Sequence, residues 1–146
     1  MRQMHIIMLA LLASVSVAAT SAQADSTRSL LKAPPRGAYQ PLSKLLPLPD
    51  YLPGMGTLYV DPATLPAGGP FLGYDHKGNL VNVIYMIPIK DLDSHKAFLN
   101  LGSAVAGLKI NHTDMEFNPG HIGVSDPHYH ITQWLISHDE ELKRMP

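Results

Sequence analysis

From Leu80 to Ile87 the chain carries a single amide, Asn82, among otherwise apolar or aromatic side chains. Strand side chains alternate between faces. Val81, Val83, Tyr85 and Ile87 therefore share one side, and Leu80, Asn82, Ile84 and Met86 the other. Both sides are mostly apolar, so the strand has to be central, with neighbours at its edges and cover on both faces. Pro88 ends it. Before it, Asp75-His76-Lys77-Gly78-Asn79 has the composition of a short hairpin loop leading back to a strand over Phe71–Tyr74.

Other segments supply the rest of a sheet. Thr57–Val60 reads as a short strand ended by Asp61-Pro62, residues from roughly Leu108 to Phe117 as another, and the run from His128 as the last. Asp91 or Asp93 is placed to cap a helix reaching about Leu101, with Leu92, Ala97, Phe98 and Leu101 on its apolar side. Ser137-His138-Asp139-Glu140 has the spacing of a capping box and predicts a short C-terminal helix that packs Leu142 or Met145. The expected class is α+β: a mainly antiparallel sheet, or a small barrel if the sheet closes, with one or two short helices.

Ahead of this body, residues 57–146, stand two segments of different character. Residues 1–24 combine Arg2, an apolar run from Ile6 to Val17 and an Ala22-Gln23-Ala24 cleavage site. That is the make-up of a secretory signal peptide, and the run falls short of the ~20 residues a spanning helix needs. The expected product starts at Asp25, in the periplasm or outside the cell, without a stable membrane anchor. Residues 25–56 read as a Pro-rich arm, because Pro34, Pro35, Pro41, Pro47, Pro49 and Pro53 rule out a long helix or a central strand. Its leucines predict that the later half lies across the body or across a neighbouring subunit of a homo-oligomer, while its start is expected to be flexible. Losing Arg2 leaves 10 of the 11 basic residues against 12 acidic ones, a balance that argues against a nucleic-acid partner. With no cysteine there are no disulfide staples and no thiolate ligands.

Chemistry concentrates near the end of the chain. His128 and His130 lie two apart in a strand, so both imidazoles leave one side with Cα atoms roughly 6.6 Å apart. Rings that far apart can converge on one cation at metal–nitrogen distances of about 2.1 Å. Asn118-Pro119-Gly120-His121 matches a type II turn that aims His121 at the start of the connecting loop. The candidate metal ligands are His121, His128 and His130, with Glu116 as an oxygen ligand or general base. Glu116 joins the face of the pair if it meets an even-numbered residue across the hairpin, which is the expected register. His112 is a reserve ligand; His76, His95 and His138 read as surface residues.

Glu116-Phe117-Asn118-Pro119-Gly120-His121, followed by Pro127-His128-Tyr129-His130-Ile131-Thr132, resembles the pattern of a small uncharacterised family of exported bacterial proteins. Members carry Trp-Asn-Pro-x-Gly-His and then Pro-His-Phe-Asp-Phe-His. Met55-Gly56-Thr57-Leu58-Tyr59-Val60-Asp61-Pro62 is similar to that family's Gly-x-His-Tyr-Val-Asp-Pro segment. Here His130 stands where the pattern has Asp, Thr132 where it has the last His, and Leu58 where it has another His. The resemblance implies export and the fold; it carries no settled activity.

Two functions follow from these residues. One is an exported protein with a divalent-metal site of nitrogen and oxygen ligands, a donor set that suits Zn, Cu, Ni, Mn or Fe. An open position on such an ion would allow metal-assisted chemistry. The other is a non-catalytic binding or assembly module whose histidines are structural. A cupin is not indicated, because no acidic residue follows His130 before Asp139.

Overall fold

In the computed structural model, residues 27–146 are described, and the signal-peptide reading of 1–24 lies outside them. Six antiparallel strands form one sheet: β1 (Gln40–Pro41), β2 (Thr57–Val60), β3 (Phe71–Tyr74), β4 (Leu80–Pro88), β5 (His112–Asn118) and β6 (His128–Trp134). Their order is β1-β2-β3-β4-β6-β5, so β4 lies inside the sheet, as its two apolar faces require. The sheet is open, with β1 and β5 as edges, and the barrel is corrected to an open sheet.

Asn82 sits in β4 because β3 makes room for it. A Cβ on Gly73, its partner across the ladder, would come within 2.0 Å of Asn82 Oδ1, so only glycine fits beneath the amide. Asn82 Nδ2 donates to the Met55 carbonyl at 3.3 Å.

Each face has its own cover. Leu72, Tyr74, Val83, Tyr85 and Ile87 are buried with Leu30 and Val105, and Phe98 and Leu108 pack against them. Leu58, Val60, Phe71 and Ile84 are buried with Leu42, backed by leucines of the segment 45–52. Burying one such leucine contributes about 2 kcal/mol. The Pro-rich segment is thus part of the core. Its start is not loose: the Ala33 N–H donates to the Gly78 carbonyl at 2.9 Å, and Leu30 is 4% exposed. Gln40–Pro41 joins the sheet at its edge, where a strand proline is tolerated.

The helices are short. α1 (Ile89–Asp93) starts after Pro88 without a side-chain cap and stops at Ser94, far short of Leu101. His95 at φ +58° and Asn100 at φ +57° turn the chain out of helical geometry, and Leu99 and Leu101 are exposed. α2 (His138–Arg144) has the full capping box between Ser137 and Glu140. Met145, not Leu142, carries its end into the core beside Val81, Trp134 and Ile136. Among the described residues, no helix is long and apolar enough to cross a membrane.

Candidate metal centre

β6 is hydrogen-bonded on both sides and alternates strictly between buried and half-buried residues. The buried set includes both histidines: His128 is fully buried and His130 is 8% exposed. Their neighbours on β4 are Pro88 and Met86, and on β5 Asn118 and Glu116. The two Nε2 atoms stand 2.9 Å apart.

His121 reaches the same point from the loop between β5 and β6. The loop is held locally, but not by the expected type II turn at 118–121. Asn118 Oδ1 accepts from the Gly120 N–H at 2.9 Å, and His121 and Val124 exchange backbone hydrogen bonds of 2.8 and 3.0 Å. Gly120 sits at φ +121°, where a Cβ would meet the Ser125 carbonyl at 2.5 Å, so glycine is required there. The result is convergence: ligand nitrogens of His121, His128 and His130 all lie within 4.8 Å of one another.

Which nitrogens carry protons follows from their partners. His128 Nδ1 is 2.7 Å from the Asp126 carbonyl and His121 Nδ1 is 2.9 Å from the Ile122 carbonyl. A carbonyl only accepts, so both Nδ1 atoms donate. Each ring is thereby left with its lone pair on Nε2, the tautomer that backbone carbonyls fix in metal-ligating histidines. The loop that carries the Asp126 carbonyl is in turn tied to α1 by an ion pair between Lys90 and Asp126. His130 is held neutral: burial, then the neighbouring His128 and His121, push its imidazole down to about 4. A neutral ring with an available lone pair is what a cation needs.

Glu116 is placed differently from expectation. Its register is the even one, directly opposite His130 and on the same face. The residue is nevertheless exposed and is not among the ligands that converge. Its expected place as fourth ligand or base is therefore not what the structure brings together. Asn118, opposite His128, borders the same cavity as His121 and His130 and was not singled out as a site residue by sequence; its even parity was the available signal.

A second group, also missed, combines His112 from β5 with His138 and Glu141 from α2. His138 Nδ1 lies 2.9 Å from Glu141 Oε2, and His112 Nε2 lies 3.7 Å from the same oxygen. The His-x-x-Glu spacing of a capped helix was its sequence signal. This group is half-exposed and rich in ion pairs, whereas the tri-histidine group has two buried rings and one half-buried ring and contains no carboxylate.

No protein-family model matches the chain, and no curated protein does. Among solved structures, the hypothetical protein TTHB210 from Thermus thermophilus is 47% identical, with a TM-score of 0.60, covering 67% of this chain and 93% of that one. This chain belongs to the family of that Thermus protein. Kinship with the Thermus protein establishes the shared fold. The chemistry has to be read from the residues.

Proposed function

We propose that the protein is a divalent-metal-binding protein, with His121, His128 and His130 as ligands. The observation that carries this reading is the convergence of three imidazoles on a buried face, two of them with Nδ1 already tied to carbonyls. Two nitrogens ~2.1 Å from one cation lie ~3.0 Å apart when they subtend a right angle and ~3.4 Å at the tetrahedral angle. The 2.9 Å between His128 and His130 Nε2 agrees with the former. Three nitrogen ligands leave positions open on most divalent ions, which is the requirement for metal-assisted chemistry on a bound water or substrate. Export by a cleaved leader over 1–24, a periplasmic or secreted location and homo-oligomeric assembly complete the proposal, on the strength of the sequence features alone.

The rival reading is a non-catalytic binding or assembly module. One observation favours it: at 2.9 Å, His130 and His128 can satisfy each other through a single Nε2–H···Nε2 hydrogen bond. Elemental analysis of untagged protein separates the two. Stoichiometric zinc, copper, nickel, manganese or iron supports the metal centre. Metal-free protein that also fails to take up any of these ions contradicts it.

A further inference from the structure

A cavity of about 200 Å³ lies between the sheet and the leucine-rich segment that covers it. Its walls include Leu42, Leu46, Leu58, Phe71, Ile84 and Met86. At the polar part of this lining stand His121, His130 and Asn118. Two of the three converging histidines thus border an otherwise apolar cavity. For scale, a dry apolar cavity of about 150 Å³ accepts benzene.

We propose that this cavity receives the body of a small amphiphile, either a short alkyl chain or one aromatic ring, whose Lewis-basic anionic head meets the tri-histidine centre. The inference rests on the metal reading for its head-group half and on the cavity alone for its body half. Apolar walls without charged side chains select against sugars, nucleotides and peptides with charged side chains. They contribute affinity in proportion to the carbon buried. Asn118 is built for the boundary: its Oδ1 is engaged by the Gly120 N–H, which leaves Nδ2 as a donor for a head group. Ligand length is bounded by the volume, so the fit ends after a handful of carbons.

The test uses the full chain without a His-tag, loaded with zinc and titrated calorimetrically with aceto-, butano-, hexano- and decanohydroxamate. Affinity is expected to rise about fourfold per methylene, roughly 250-fold from aceto- to hexanohydroxamate, and then to level off at the decanoyl chain. Leu46→Phe, on the covering segment of the lining, should flatten the series while zinc binding persists. A flat series on zinc-loaded wild-type protein overturns the inference and leaves the metal reading intact. In a second arm, hexanol is titrated into metal-free protein and followed by its melting temperature. Failure to bind zinc sinks the metal reading and the head-group half together. Saturable hexanol binding then upholds the body half, and its absence overturns that as well.

Discussion

Two buried polar clusters occupy this small domain, and they are built on opposite plans. At the β3–β4 hairpin, Asp75 is 5% exposed, and every oxygen is met by a donor. Lys77 and Asn79 N–H groups give to Oδ1 at 2.9 and 2.8 Å, and Arg144 gives to Oδ2 through Nη2 and Nε at 2.7 and 3.1 Å. Between β5 and β6 three imidazoles instead converge without any charged partner: His128 and His130 can share one Nε2–H···Nε2 hydrogen bond at 2.9 Å, and His121 stands beside them. The first cluster is closed and ties the C-terminal helix to the hairpin. The second is held by neutral hydrogen bonds alone, with Nδ1 of His121 and His128 tied to carbonyls as in metal-ligating histidines, so a cation can take the place of the proton its rings share.

Breaking the closed cluster should have the larger effect on stability. Asp75→Ala removes the acceptor of the hairpin amides and of Arg144, and should cost about 3 kcal/mol in chemical denaturation. Divalent-metal affinity should stay within threefold of wild type. A large loss of metal binding in this variant would mean that the two clusters are not independent.

Acid should separate them next. Burial alone would raise the Asp75 carboxyl, but hydrogen bonds from Asn79, Arg144 and Lys77 outweigh it and hold it at about 2. Its contribution is therefore present above the ordinary carboxylate range and fades only as pH falls from about 4 towards 2. His130 also titrates lower in the folded chain than in the unfolded one, near 4 against about 6.5. The unfolded chain takes up this proton first, so stability is full above about 6.5 and declines as pH falls towards 4. The loss should be about 2 kcal/mol between pH 7 and pH 4.5 for metal-free protein. His130→Leu should remove most of that slope, at a cost of about 1 kcal/mol at neutral pH for the lost hydrogen bond to His128. Equal slopes in wild type and variant would assign the acid sensitivity elsewhere.

The smallest effect belongs to Glu116. Because the side chain is exposed and apart from the converging ligands, Glu116→Gln should change zinc affinity less than about threefold, the order of one screened surface charge. A change of tenfold or more would restore it as a ligand.

What could be read from sequence follows the same division between local and distant determinants. The parity of His128 and His130 and the central place of β4 come from the two-residue period of a strand, which needs no knowledge of the rest of the fold, whereas the even register of Glu116 is a matter of pairing that strand parity leaves open. The capping box at Ser137 is likewise local. Exposure is not, and Glu116 shows it: the shared face is right, yet β5 is the edge strand and its side chain is left towards water. The helix expected to reach Leu101 failed because His95 and Asn100 take left-handed geometry, a choice the spacing of Leu92, Phe98 and Leu101 does not reveal. The proline-rich segment was legible in part: its leucines announce that the later half lies across the body, while the packing of its start through Leu30 depends on a sheet face assembled from strands far along the chain. The pairing of His112 with His138 and Glu141 needed tertiary contact between β5 and α2.

The most direct test of the metal centre is calorimetric titration with zinc, copper and nickel at pH 7.5 of wild-type protein and of His128→Ala/His130→Ala, both untagged and freed of metal beforehand. One ion per chain bound by wild type, and a loss of at least 100-fold in affinity in the double variant with its fold retained by circular dichroism, is the predicted result. Unchanged titrations in the double variant would contradict the metal centre and leave the histidines as a hydrogen-bonded part of the core.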